Sequence, residues 1–119
     1  MNAAQIAPYI GCVIVSIALC FGQIMFKLAA LAQPKGGFAL DRLLLSPWFL
    51  GAIALYGLST FLWVYVLARL PLSIAYPFTL LGAALVPVAA VFIFGEVLAA
   101  RYWLGLGLML GGLYLMNLK

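Results

Sequence analysis

The chain has 119 residues, 69% of them hydrophobic, with six Lys or Arg, two Asp or Glu and no His. Soluble globular domains carry about a quarter charged residues, so this composition excludes that class and predicts an integral membrane protein. Zinc sites and Ser-His-Asp triads need residues that the chain lacks. We therefore expect a protein that is not an enzyme and holds no metal or cofactor. The net charge of +4 forms no basic run, so we expect no nucleic-acid binding.

Four apolar stretches fill the chain, and each is long enough for a transmembrane helix, which requires about 20 apolar residues. They predict an all-α fold, an integral membrane bundle of four transmembrane helices forming one domain over residues 1–119. Breaks rich in Gly, Pro and charged residues separate the stretches. We place the helices at about residues 5–31, 47–70, 73–94 and 100–118.

An even number of spans puts both termini on one side of the membrane. The connections on the other side carry more basic residues, which weakly favours termini facing the periplasm and leaves insertion in both orientations open. The residues compared are Lys27, Lys35, Arg42 and Arg101 on one side and Arg69 and Lys119 on the other.

The first helix carries the most polar side chains of the four. Gln23 and Lys27 are four residues apart, so they share one face of the helix. A lysine inside the hydrocarbon costs a few kcal/mol even on lenient scales, so it faces a polar cavity or extends to the membrane surface. Two interpretations stay open: Lys27 and Gln23 meet an anionic group of a ligand, or Lys27 only reaches the interface from the helix end.

The third helix contains Pro77, Gly82 and Pro87. A proline removes a backbone hydrogen bond, so we expect a kinked or locally unwound helix with these residues as a hinge. Tyr76 and Thr79 flank Pro77 with hydroxyl groups, as is typical of binding sites near the midplane of transporters. The alternative is a kink that only fits neighbouring helices.

Glycines in the fourth helix predict a surface for helix association, because small residues let backbones approach closely in lipid. Gly105, Gly111 and Gly112 form this predicted dimer interface, and packing within one four-helix unit is the alternative. Glu96 follows Gly95 at the end of the third helix, with Arg101 five residues later. We expect Glu96 and Arg101 to be structural, as a cap or a loop salt bridge.

The order and spacing of these motifs resemble the drug/metabolite transporter superfamily over almost the whole chain. The matching stretches are residues 21–29, 70–77, 94–98 and 105–117. One branch, the small multidrug resistance proteins, is similar in length, in the Gly105/Gly112 spacing and in Tyr76. Its members carry a carboxylate eight residues before the lysine, and here that position is Leu19. A proton-coupled exporter of cations needs such a titratable group in its path.

The chain more closely resembles the EamA-type proteins, particularly the subunits of the flippase for 4-amino-4-deoxy-arabinose-phosphoundecaprenol. Gly22-Gln23, Lys27-Leu28-Ala29 and Ala75-Tyr76-Pro77 carry this likeness. The resemblance implies a multi-pass protein of the bacterial inner membrane that moves a polyprenyl-phosphate-linked sugar or similar anionic lipid. It also implies a homodimer, or a heterodimer with a similar small membrane subunit.

On this interpretation the phosphate of the cargo contacts Lys27, with help from Lys35 or Arg42, and the cavity is lined by Gln23, Tyr76 and Thr79. Two alternatives stay open. The first is an exporter of small polar or cationic compounds, and the second is a membrane subunit that scaffolds a partner without transporting anything itself.

Overall fold

A computed structural model describes residues 2–118, and between these limits the chain forms helices and turns without any β-strand. The predicted all-α fold is therefore confirmed for the described residues. Met1 and Lys119 lie outside them, so the part that Lys119 plays in the predicted orientation is not described. The elements are α1 (Ala3–Leu31), α2 (Leu40–Leu45), α3 (Pro47–Leu67), α4 (Leu72–Ala75), a 3₁₀ turn (Tyr76–Thr79), α5 (Leu80–Phe94) and α6 (Ala100–Met116).

Three segments are long and apolar enough to cross a membrane: Ala3–Leu31, Pro47–Leu67 and Leu72–Phe94, the last of which joins α4, the 3₁₀ turn and α5. The chain is thus a multi-pass membrane protein. The predicted fourth span corresponds to α6, which has 17 residues and extends only about 25 Å at 1.5 Å per residue. Four spans are therefore a proposal, taken up below, while three segments have the length and composition of a span.

Local sequence explains where the long helices begin and end. At the start of α1, the Asn2 side chain accepts a hydrogen bond from the Gln5 backbone at 3.0 Å and the Gln5 side chain accepts one from Asn2 at 3.2 Å. This capping box starts the helix two residues before the predicted position. At the other end, α3 stops at Leu67 rather than at residue 70, because Pro71 disfavours helical backbone at the residue before it.

The first helix lies between α3 and α5 and packs against both, whereas α6 packs mainly against α5. Glycines bring α1 and α3 together. A Cβ atom on Gly11 would lie 2.7 Å from the Cγ2 of Val66, and any side chain on Gly22 would collide with the ring of Tyr56. Close approach at small residues is the usual basis of helix packing in lipid, so these two glycines let α1 and α3 pack closely.

Of the three predicted hinge residues, only Pro77 lies where the α-helix is interrupted. Pro77 lies in the 3₁₀ turn between α4 and α5, whereas Gly82 and Pro87 lie inside the continuous α5. The Ser16 hydroxyl of α1 contacts the carbonyl oxygen of Phe78 at 2.8 Å, and also that of Cys12 at 2.9 Å. In a bilayer, Ser and Thr hydroxyl groups commonly form hydrogen bonds with the backbone groups that such a break leaves unpaired.

Gly82 has a packing role that its sequence position did not reveal. A Cβ atom there would lie 2.9 Å from the backbone oxygen of Ser16, a contact that no side-chain rotation can relieve. Gly82 therefore permits the close approach of α5 to α1 directly after the 3₁₀ turn.

Gly82→Ala should lower the free energy of unfolding by about 1–3 kcal/mol, because the added methyl group forces two backbones apart. Unfolding in mixed micelles, titrated with a denaturing detergent, measures the change. Gly57→Ala is the matched control, since nothing lies within 4 Å of a Cβ atom at that position of α3. Equal stability of the two variants would contradict this account of the α1–α5 contact.

Candidate functional site

Three adjoining cavities form one groove along α1, between α3 and α5. The first cavity has a volume of about 260 Å³, the second about 470 Å³ and the third about 220 Å³. The first two share Gln23, Val86 and Pro87, and the last two share Leu19, Tyr56 and Thr79. We call this continuous depression the groove. Its polar or charged lining residues are Gln23, Lys27, Tyr56, Ser59, Thr60, Trp63, Tyr76, Thr79, Glu96 and Tyr102.

One end of the groove is charged. Lys27 of α1, Glu96 of the loop after α5 and Tyr102 of α6 line the first cavity there. Lys27 lies four residues before the end of α1 at Leu31, about 6 Å along the helix axis. This end is therefore close to a membrane surface, where a charged side chain keeps contact with water.

The middle of the groove is polar but carries no charge. The Gln23 side-chain amide donates a hydrogen bond to the Tyr56 hydroxyl oxygen at 2.5 Å, which links α1 to α3. The ring of Tyr56 also packs edge-on against Phe26, with 5.2 Å between ring centroids. Leu19 lies in this middle section, at the position where the small multidrug resistance proteins carry their carboxylate.

The far end of the groove is lined by hydroxyl groups on an aromatic background that includes Trp63 and Tyr76. The Thr79 hydroxyl donates to the carbonyl oxygen of Tyr76 at 2.7 Å, within the 3₁₀ turn. Ser59 donates in the same way to a carbonyl of its own helix, at 2.8 Å. Each of these hydroxyl oxygens still has acceptor capacity, so this end can receive hydrogen bonds from the hydroxyl groups of a sugar.

Most of the predicted site residues meet in the groove. Gln23, Lys27, Tyr76 and Thr79 line it, and so do two of the predicted hinge residues, Gly82 and Pro87. Arg42 does not meet them: it is an exposed residue of α2, which packs against α3, and it lines none of the three cavities.

Two residues that line the groove, Tyr56 and Glu96, were not predicted from the sequence as binding-site residues. Tyr56 was one of several aromatic residues in a helix that is apolar on all sides, so no periodicity marked it. Glu96 was predicted to be structural, as a cap or in a loop salt bridge. The backbone N–H groups of Gly95 and Glu96 both donate to the carbonyl of Ala90, where Gly95 ends α5 at a φ of 68°, and Glu96 also lines the first cavity.

The predicted interface glycines lie on α6, and nothing lies within 4 Å of a Cβ atom at any of them. At about 100° per residue, Gly105 and Gly112 share one face, and Gly111 lies about 120° away from Gly105. Gly111 lies on the face that points away from α5. Its neighbours on that face are largely exposed: Leu104 (71%), Leu108 (77%) and Leu115 (67%).

Comparison with known proteins finds similar chains of nearly the same length, each named "Probable 4-amino-4-deoxy-L-arabinose-phosphoundecaprenol flippase subunit ArnE". The protein of Serratia proteamaculans (strain 568) is 37% identical over 97% of this chain and 99% of its own. The proteins of Aeromonas salmonicida (strain A449) and Yersinia pestis (strain Pestoides F) are 35% and 37% identical over 85% and 92% of this chain, and over 94% and 95% of theirs. No family model matches the chain, and no solved structure is significantly similar to it.

A double-mutant cycle of Gln23→Leu and Tyr56→Phe should give a coupling energy of about 0.6–1.7 kcal/mol, the range of hydrogen bonds between helices in lipid. Detergent-induced unfolding of the four proteins measures it. Gln23→Leu with Thr60→Val is the control cycle, because the Thr60 hydroxyl bonds only within α3. Additive behaviour of the first pair would mean that the hydrogen bond does not join the two helices in the membrane.

Proposed function

This chain belongs to the ArnE family of flippase subunits, and we propose that it takes part in moving a polyprenyl-phosphate-linked sugar across the bacterial inner membrane. The name of its relatives supplies the cargo class, an undecaprenyl phosphate that carries an amino sugar. The observation that carries the proposal is the groove, which has one basic side chain at a membrane-proximal end and a polar path leading from it.

Lys27 is proposed to hold the phosphate. It is the one basic residue that lines the groove, and ammonium groups bind phosphate strongly through charge-assisted hydrogen bonds. Arg42 has no part in this proposal, because it lies outside the groove. The energetic reason for such an anchor is general: an unpaired ion in a medium of low dielectric constant costs several kcal/mol.

The rest of the groove is proposed to conduct the sugar while the tail stays in lipid. From Lys27 the groove passes Gln23, Tyr56 and Thr79 and ends at Tyr76. Their hydroxyl and amide groups replace part of the water that the sugar loses on entering the membrane. Polyprenyl chains are apolar, so they need no site in the protein. The 3₁₀ turn at Pro77 is the proposed bending point for alternating access, with the Gly82 contact as its pivot.

The drug-exporter alternative lacks a feature that its chemistry needs. Exchange of a cation for protons requires a titratable group within the membrane-spanning part of the transport path, and Leu19 lies at that point of the groove. The two acids of the chain are Asp41 and Glu96. Asp41 does not line the groove, and Glu96 lines only its charged end, outside the three apolar segments.

We propose further that α6 is a fourth span and carries the surface for a partner, either a second copy or a similar small membrane subunit. The relatives are named as subunits, and the outward face of α6 carries Gly111 among exposed leucines. Gly105 and Gly112 border this face. A small residue in its middle allows close backbone approach, which drives helix association in lipid.

Lys27→Ala and Lys27→Gln should lower flipping of the lipid-linked amino sugar at least tenfold, because one charged contact is worth about 1.5–3 kcal/mol. Lys27→Arg should retain much of the activity, since guanidinium also binds phosphate. Flipping is measured in proteoliposomes as the appearance of lipid-linked sugar in the opposite leaflet. Lys35→Ala is the control, because Lys35 lies in the connection after α1 and, like Arg42, lines none of the three cavities of the groove.

Unchanged flipping in Lys27→Ala, with folding and association intact, would refute the phosphate anchor. Exchange of quaternary ammonium compounds for protons by the unaltered protein would instead support the exporter. If the chain alone moves nothing and a partner subunit moves the cargo just as well with Lys27→Ala, the chain is a scaffold.

Gly111→Leu should reduce association of the chain with its partner at least tenfold, because the added side chain separates the helices. Cross-linking in membranes at graded protein density measures the association. Gly57→Leu on α3 is the control, since that position is open as well. The proposal also requires tags on the two termini to report the same side of the membrane, and tags on opposite sides would contradict the fourth span.

A further inference from the structure

Glu96 is the one acid that lines the groove, and it lies in the same cavity as Lys27. The cavity brings together three parts of the chain: the last turns of α1, the end of α5 with the loop after it, and the first turn of α6. The backbone N–H groups of Gly95 and Glu96 both donate to the carbonyl of Ala90. These hydrogen bonds hold the backbone of Glu96 against the end of α5.

Both charged side chains are available to a ligand. The hydrogen bonds among residues 2–118 engage neither the Lys27 ammonium nor the Glu96 carboxylate, and both residues are exposed. The volume of their cavity, about 260 Å³, is close to the lower end of the roughly 300–1,000 Å³ typical of small-molecule sites. A head group of one sugar and one phosphate is a ligand of this size class.

We infer that Glu96 binds a cationic amino group on the cargo while Lys27 binds its phosphate, so that the groove selects a zwitterionic head group. This inference rests on the proposed function and adds the specificity of the site. A cargo with an ammonium and a phosphate carries two charges, and each must lose water as the head enters the groove. Glu96 next to the ammonium and Lys27 next to the phosphate compensate both losses of hydration, whereas Lys27 alone would leave the ammonium unpaired.

The same carboxylate also disfavours the wrong cargo. A head group with extra negative charge, such as a diphosphate-linked sugar, would bring an anion close to Glu96. Like charges repel at short range, and specificity is often built from such a repulsive element together with an attractive one. Tyr102, in the same cavity, offers a hydroxyl group that can bond the sugar without favouring either charge.

The test compares two cargoes in proteoliposomes that contain the chain with its partner subunit. One cargo is undecaprenyl phosphate linked to 4-amino-4-deoxy-L-arabinose, and the other is the same lipid with the amine acetylated, which removes the positive charge. The unaltered protein should flip the amine cargo roughly tenfold faster, as expected for one charged hydrogen bond. Glu96→Gln should bring this ratio close to one, mainly by slowing the amine cargo, and Glu96→Asp should retain part of it.

Arg101→Gln is the matched control, because Arg101 is a charged neighbour of the loop that does not line the cavity. It should leave the cargo ratio unchanged, and Lys27→Gln should slow both cargoes. A protein that flips both cargoes equally well, or a Glu96→Gln variant that slows both equally or neither, would overturn the role of Glu96. These outcomes would leave the flippase proposal standing. If the unaltered protein flips neither cargo, the proposed function itself fails.

Discussion

The contact between Ser16 of α1 and the carbonyl of Phe78 is the interaction on which the groove depends. Pro77 has no backbone N–H, and the third membrane segment passes through a 3₁₀ turn there. Within that turn the carbonyl of Phe78 accepts a hydrogen bond from the Ser16 hydroxyl of the neighbouring helix, and Gly82 lets the two backbones come close enough for this contact. α5 meets α1 closely at this level, and Leu19, Gln23 and Lys27 of α1 line the groove beyond this contact.

The polarity of the groove follows from what each helix contributes. The first helix supplies an amide and an ammonium on one face, and α3 supplies Tyr56, Ser59 and Thr60. Hydroxyl groups that bond their own helix remain weakly polar, so the middle and far sections suit a sugar but do not hold it tightly. Charge is confined to one end. If the groove carries the cargo as proposed, the cargo is held most firmly at the charged end and only loosely along the rest of its path, as transport requires.

The sequence predicted those features that have a local cause. The breaks between apolar stretches predicted that the first helix ends at residue 31 and the second begins at residue 47, as α1 and α3 do. The helical spacing of Gln23 and Lys27 puts them on one face. The break at Pro77 also has a local cause. By contrast, Gly82 and Pro87 lie in a continuous helix, since whether a helix tolerates them depends on the neighbours it packs against. Contacts between helices also decide the roles of Tyr56 and Arg42. The hydrogen-bond partner of Tyr56 is Gln23 on another helix, and Arg42 lies outside the groove because α2 packs against α3.

The helix α6 contributes both to the proposed partner surface and to the charged end of the groove. Its outward face is the proposed surface for a partner, and its first turn supplies Tyr102 to the charged end of the groove. The loop that carries Glu96 leads directly into it. Because α6 packs mainly against α5, it has fewer contacts to hold it than α1 has. A partner that shifts α6 would therefore also shift Glu96 and Tyr102 relative to Lys27. On the proposed roles, association and cargo recognition are coupled through a single helix, which gives a physical reason for a flippase of this size to be built from subunits.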